Sequence, residues 1–600
     1  MAGKFRHLTV SEKDVLVAAG CRCADWERVS VADGFLAARV WRTSFEGDVR
    51  LGRNDGAATD RDGIVREAGI CDACIADAVV GDDALICRSS VLGYEVGDGA
   101  VIENTGKLAC TLGASFGRGV AVRAVNEGGG REVMLTESLG AQSAYLAAMY
   151  RHRPGLAAAI ATLSAAATGR GCIGKNVKIS GCCVIRNVNI GDRAAIEGAA
   201  DLCDGTVGAG AYIGSGVCAR GFMCAPGARL SDGASVERCW VGEACILEKG
   251  FTAVDSLFFA NSHMACGEAV SVFAGPYSVS HHKSSLLIAG YFLFFNAGSG
   301  SNQSNHLFRA GPVHQGIHER GCKFGSNAYV MLPAREGAFT TVIGRHTAHH
   351  DTADMPYSIL IEEDGRTFVH PGAAIRSFGF GRDAAKWPAR DRRGEGAVDL
   401  VNFEMYNPYT GMRLLRAVDI CRGLLEKGDA DVVVWNRVRI RRTMLSRGLG
   451  LYEAMLTATI GNILAEGGDP GAVACRRWVD MAGMFAPKDE VERLCDRIEA
   501  GEFRDMDELN AAFRGLHAGY RDYAYAWALD ALGIALGHAP SPAEVAAAVE
   551  AGREAHEKLK AMRAEDARKD EGGAMNTGYG IDSPDDGEVS EDFRNVRYKI

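Results

Sequence analysis

The feature that most constrains this chain is a six-residue period near its middle. Ile173, Ile179 and Ile185 stand six apart; Ile190, Ile196 and Leu202 resume the spacing after a slip of one residue, and Ile213 and Ala219 continue it. Small or turn-forming residues follow these positions: Gly174-Lys175-Asn176, Gly191-Asp192-Arg193, Gly214-Ser215-Gly216 and, after Val241, Gly242-Glu243-Ala244. A period of six fits neither a helix nor an alternating strand. It fits short strands joined at tight corners, each sending one aliphatic side chain inward, so that stacked coils bury a continuous column. Glycine and asparagine suit the corners because they accept positive φ. The 75 glycines against 14 prolines in 600 residues fit many tight turns better than a disordered chain.

A fainter set precedes this one, at Val80 to Leu85, Leu92 to Ile102 and Phe116 to Val120. Between the two sets, residues 136–168 are alanine-rich, with Ala144, Leu146, Ala147 and Tyr150 on one helical face and Pro154 dividing the segment. The spacing therefore predicts a cap region over 1–69, a mainly β parallel β-helix over 70–409 with a helical insertion at 136–168, an α-helical domain over 410–570, and a partly flexible tail over 571–600. Leu456, Ile460, Ile463 and Leu464 recur at helical spacing before Gly467-Gly468, and Ser541-Pro542-Ala543-Glu544 is a capping-box helix start.

The net charge of -10 gives no basic face for nucleic acid. The first residues lack the apolar core of a secretory leader, and the longest apolar run, Leu286 to Phe295, is too short to span a bilayer. A cytoplasmic chain without membrane or nucleic-acid partners is expected, its 19 cysteines reading as buried thiols. Cys71 and Cys74 make a lone CxxC with no second pair for a zinc ribbon. Gly169 to Lys175 nearly writes a phosphate loop, but Asn176 stands where a hydroxyl is needed and a strand follows instead of a helix.

The repeat at 173–250 resembles the hexapeptide-repeat transferases, and that resemblance implies a left-handed coil, an exception to the usual crossover hand. The segments from Gly129 (GGREV), Gly267 (GEAVSVFAGPYSVSHHKSSLLIAG), Phe294 (FFNAGSGSNQSNH), Gly311 (GPVHQGIHERG) and Arg382 (RDAAKWPARDRR) are similar to a family of long bacterial hexapeptide-repeat proteins known as a domain of unknown function. That similarity implies an architecture and leaves the reaction open.

Ten of the 15 histidines lie between His263 and His370. An aliphatic column does not call for imidazoles, and histidine is the usual general base near neutral pH. One reading is acyl transfer from a thioester donor such as acyl-CoA to a sugar or nucleotide-sugar. His281 or His282 would take the acceptor's proton, as one wall histidine does in the transferases the repeat resembles, with Lys283, Ser301, Asn302, Asn305 and His306 at the substrate. Lys283 follows the histidine pair directly, and the loop Asn296 to His306 is rich in donors that can wrap a sugar or phosphate. Arg382 and Arg390, in a basic stretch with one tryptophan, are further candidates to clamp a phosphate. A second reading is a zinc site at His346, His349 and His350, similar in kind to β-helical carbonic anhydrases, whose ligands come from neighbouring coils and subunits. A third is a non-catalytic assembly scaffold. A homo-oligomer is expected in each.

Overall fold

In a computed structural model, the chain is described over residues 5–164, 169–304, 315–469 and 471–569, with residues 587, 591 and 595 described singly. Its centre is a parallel β-solenoid with three faces. Strands mostly of two or three residues, with Val184–Ile190, Asp201–Val207 and Cys218–Cys224 running across two faces, stack into the rows Ile185–Leu202–Ala219–Val236, Ile190–Val207–Cys224–Val241 and Ile179–Ile196–Ile213–Leu230. Successive partners on the third face, from Ile179 through Ile196, Ile213, Leu230 and Leu247 to Met264, lie 17 positions apart. One coil therefore takes inward positions spaced six, six and five, and the slip of one residue in the sequence is the short side of each turn. All these side chains are buried in one core.

The corners are built by residues in the left-handed region. Asn187 (φ 54), Asp204 (φ 52), Gly221 (φ 55), Arg238 (φ 49) and Asp255 (φ 49) occupy successive copies of one corner. Asn187 Nδ2 donates to Asp204 Oδ1 at 2.9 Å, and Arg238 Nε donates to Asp255 Oδ1 at 2.9 Å. Corner side chains thus bond along the solenoid, which offsets part of the strain of positive φ.

The ladders begin at Arg22–Cys23, Val29–Val31 and Val40–Trp41, inside the segment that the sequence reading set aside as a cap. Ahead of them, helix α1 (Val10–Ala18) opens on a Thr9–Glu12 capping box. The inserted segment leaves the solenoid after Lys107–Ala109 and returns at Gly171–Ile173. It starts earlier than the alanine-rich stretch, with an antiparallel hairpin of Ala121–Arg123 and Glu132–Met134, before helices α2 (Ala141–Met149) and α3 (Pro154–Leu163). Pro154 does not break a helix here; it starts one, where its missing N–H is not needed.

At the far end, Ile359–Glu363 pairs antiparallel with Arg366–His370 and closes the third face. Helix α4 (Phe378–Ala389) then runs back along the solenoid, with Phe380 against Phe339 and Tyr357 and Trp387 against Phe294. After a connecting strap come α5 (Pro408–Glu426), α6 (Arg442–Glu466), α7 (Lys488–Glu499), α8 (Met506–Ala518), α9 (Tyr520–Leu536) and α10 (Pro542–Arg568). No described helix is long and apolar enough to cross a membrane.

A second core lies outside the solenoid. The outward row of the second face reads Met223, Trp240, Leu257, Phe273, Tyr291 and Ile317. Apolar side chains on an outer wall need cover. They receive it from α2 and α3 on one side and from α7, α8 and Met481–Ala486 on the other. Asp399 fastens the parts together: its buried carboxylate accepts from Ala141 N at the start of α2 and from Ala260 N on the solenoid, each at 2.8 Å.

Candidate functional site

Both sides of the second face change character in its last coils. Outward, the row Tyr291–Ile317 continues to Arg335; inward, Phe292 is followed by His318 and Glu336. The outward change opens a cavity of about 210 Å³. Four stretches of chain wall it: α2 gives Tyr145 and Met149; the solenoid gives Tyr291, Leu293, Ile317, Glu319, Arg320 and Arg335; α5 gives Tyr409 and Arg413; the hairpin strand Trp478–Met481 gives Trp478, Val479 and Asp480.

The charged groups divide into two sets. Arg320 is structural. It lies 4.2 Å from the ring centroids of both Phe294 and Phe485, and donates to Asp480 Oδ2 (2.6 Å), Asn402 O (2.8 Å) and Gly483 O (2.7 Å). Glu319 is the hub of the other set. Its Oε1 accepts from Arg335 Nε at 3.0 Å and from Arg413 Nη2 at 3.3 Å, while Arg413 Nη1 reaches Asp354. Among the described residues, Glu319 Oε2 and Arg413 Nε are buried without a well-formed hydrogen bond, and the Tyr409 phenol lies against the Glu319 carboxylate. An unpaired buried polar group costs about 1–3 kcal/mol, so the cluster is held at some expense to stability. Burial works against the charged forms of Arg335 and Arg413, but Glu319 holds both guanidinium pKa values above the ordinary range. Burial, then the nearby Asp480 carboxylate, raises the Tyr145 phenol, and burial with Glu319 raises Tyr409. At neutral pH the cavity therefore presents fixed guanidiniums and neutral phenols, a set suited to binding polar ligands.

The inward change builds a polar chain inside the solenoid. His318 Nδ1 meets Glu336 and its Nε2 meets Gln303; the other oxygen of Glu336 bonds His350 Nε2 at 2.7 Å. All four side chains are buried. Burial raises the Glu336 carboxyl, yet His318 and His350 outweigh it and hold the group well below the usual range. His346, buried beside them, bonds Thr367 Oγ1 (3.1 Å) and Ile343 O (3.2 Å), and its pKa is pushed down to about 4 by burial and then by His350.

The three histidines of the zinc reading do not converge within one chain. His346 and His350 point into the core, whereas His349 sits at a left-handed corner (φ 48) and bonds Pro333 O at 3.2 Å. The corner turns it away from its neighbours, and the described residues contain no group of three or more His, Cys, Asp or Glu side chains that could hold a metal ion.

The proposed transfer residues are spread over several places. His281, His282 and Lys283 lie exposed at the corner between the third and first faces. The His281 ring sits edge-on to His263 at 4.6 Å, and His263 Nε2 lies 3.1 Å from Glu248 Oε1. Local desolvation, then His263, His282, Lys249 and Lys386, push its pKa down to about 4. Ser301 is buried, donating to Gly298 O at 2.6 Å, and Asn302 sits within a strand, accepting from Ser304 Oγ at 2.7 Å. Their side chains serve the coil. Arg382 on α4 and Arg390 at its C-terminal cap are exposed, with Arg382 3.3 Å from Asp383. Asn305 and His306 lie outside the described residues. None of the described ones among them lines the cavity. Glu319 and Arg320 lay within the quoted GPVHQGIHERG segment, and a charged pair at a corner of an apolar repeat was the available signal. Arg335, Arg413 and Tyr145 carried none.

A relative from Treponema pallidum (strain Nichols), described as an uncharacterized protein, is 24% identical over 587 residues, covering 86% of this chain and 80% of its own length. Residues 470–600 match the domain of unknown function DUF6819, which takes in Trp478, Val479 and Asp480 of the cavity wall. Residues 5–425 match the domain of unknown function DUF4954, a stretch holding the whole solenoid and every other cavity residue, and the chain belongs to that family.

Proposed function

We propose that this protein is a group-transfer enzyme whose substrate sits in the cavity between the second face of the solenoid and α5. The observation that carries the reading is the Arg335–Glu319–Arg413 cluster, drawn from separate stretches of chain and holding polar atoms without a well-formed hydrogen bond beside a cavity. Convergent polar groups in a part-apolar cavity are the usual mark of a small-molecule site. The six-residue spacing supports placing the coil with the left-handed hexapeptide-repeat transferases it resembles. In that reading the transferred group is an acyl group: an acceptor hydroxyl of a sugar or nucleotide-sugar attacks the thioester carbonyl, a base takes the hydroxyl proton, and the thiol leaves. A second location for the reaction is the His281 corner. What favours it is an exposed imidazole, neutral at pH 7, at the end of a His263–Glu248 string.

One experiment tests both. Acyl-CoA donors, sugars and nucleotide-sugars are screened by thermal shift, and turnover is measured with any stabilising pair. In Arg413→Ala and Glu319→Gln, ligand-induced stabilisation should be lost and turnover should fall by about a hundredfold or more. If both variants keep wild-type binding and turnover while His281→Ala with His282→Ala loses turnover, the reaction belongs to the corner. If no ligand stabilises the protein, the non-catalytic scaffold replaces the transferase.

A further inference from the structure

The hydrogen bonds around the cavity narrow the chemistry of what enters it. Arg320 is fully engaged, and both oxygens of Asp480 are occupied, one by Arg320 and one by Gly483 N at 2.8 Å. Arg413 and Arg416 share Asp354, and Arg413 and Arg335 share Glu319. Arg335 spends Nε and Nη2 on Glu319, and its Nη1 has no hydrogen-bond partner among the described residues. Arg131 has no carboxylate partner among the described residues: it donates to Ala148 O at 2.9 Å and to Gln315, with Met149 Sδ at 3.9 Å. Among the described residues lining the cavity, three guanidiniums (Arg320, Arg335 and Arg413) stand with two carboxylates (Glu319 and Asp480), and Arg335 keeps a spare donor beside the hollow. The lining also holds the apolar side chains of Leu293, Ile317 and Trp478. At about 210 Å³ the cavity is below the roughly 300–1,000 Å³ of drug-sized pockets.

Building on the cavity as the substrate site, we propose that its ligand is a monosaccharide-sized anion, a phosphate ester or carboxylate of a polyol, with the anionic group on Arg335. A planar fork with a free end suits an oxyanion. The phenols of Tyr145 and Tyr409 meet hydroxyls, and Trp478 and Ile317 pack the carbon skeleton. The size excludes a whole nucleotide-sugar from the cavity, so any nucleotide portion stays outside.

The test is calorimetric titration of the full chain with phosphate esters and carboxylates of hexoses and pentoses, each paired with its neutral parent sugar, and with inorganic phosphate alone. At least one anion should bind tenfold or more tightly than its neutral parent. Arg335→Gln should remove that preference while keeping the unliganded unfolding temperature, because Arg413 still pairs Glu319. If that variant fails to fold, Arg335→Lys, which keeps the charge and loses the fork, should weaken binding by about tenfold. Preference for phosphate esters over carboxylates, or the reverse, identifies the group. Neutral sugars binding as tightly as the anions, with binding lost in Arg413→Ala, overturns the anion and leaves the cavity as the substrate site. Unchanged anion binding in Arg335→Gln, or no binding by any member, overturns the proposal. Inorganic phosphate binding as tightly as every ester assigns the site to a free ion and overturns the polyol.

Discussion

At the scale of single residues, the interior histidines set how the protein answers acid. His346 prefers its neutral form because burial disfavours the charge, so its folded pKa of about 4 lies below the unfolded value of about 6.5. The unfolded chain binds that proton first as pH falls. The resulting stability is fully present above about pH 6.5 and is lost as pH drops toward 4, a change of up to about 3 kcal/mol. Glu336 acts lower: with its folded pKa depressed by His318 and His350, its contribution is lost only below about pH 4.3. Urea unfolding from pH 7.5 to 4 should show the first loss, and His346→Gln, which can still bond Thr367, should flatten it. Equal slopes in the two proteins would place the sensitivity elsewhere. The sequence marked this block as unusual but could not orient it. Alternation along a two-residue strand decides whether a histidine faces core or solvent, and a one-residue change at a corner reverses the answer, as it does for His349 against His350.

At the scale of elements, two kinds of contact differ in how far they could be read. The coils at 173–264 repeat an aliphatic at six, six and five, so strand, corner and inward face all follow from one column. The coils before residue 70 bury Val29, Val31, Val40, Phe45, Val49 and Leu51 in the same core, but a hairpin of Ala57–Thr59 and Val65–Glu67 stretches the step from Val40 to its partner Ile70 to 30 positions, so the period does not carry across it. Helices α6 and α10 are legible singly but not as a pair. They cross where Gly461 meets Gly552, and a Cβ on Gly461 would stand 2.5 Å from Gly552 Cα. That spacing admits backbone only. Gly461→Leu should force the helices apart and destabilise the protein by about 1–3 kcal/mol or more, whereas the exposed Gly450→Ala, with open space around it, should be neutral or slightly stabilising. Chemical denaturation of both variants checks this; equal midpoints would mean the crossing is not tight.

At the scale of the whole molecule, the solenoid is a spine whose flank is completed by chain from both sides. The cavity exists only where those parts meet, which is why no single stretch of sequence announced it: Tyr145, Glu319, Arg335, Tyr409 and Asp480 share no spacing. A chain ended after Arg376 would keep the solenoid ladders up to Arg366–His370, losing only the pairing of Phe368 with Arg439 at their end, but leave Trp240, Phe259, Phe273, Tyr291 and Phe294 without their C-terminal cover. Its circular dichroism should retain the β signal, while it binds an apolar dye and self-associates. A monodisperse truncated protein that binds no dye would show that the flank needs no cover.

The Asp399 carboxylate has a consequence in time. Its partner at the start of α2 is 258 positions earlier in the chain. At a synthesis rate of roughly 5–20 residues per second, α2 waits about 13–50 s for the residue that fastens it. During that wait the coils stack one after another, each new turn finding its partner already made, while the inserted arm rides along half-docked. Newborn molecules therefore pass through a stage with a finished spine and an open flank. Its greasy side is what a ribosome-associated chaperone would meet first.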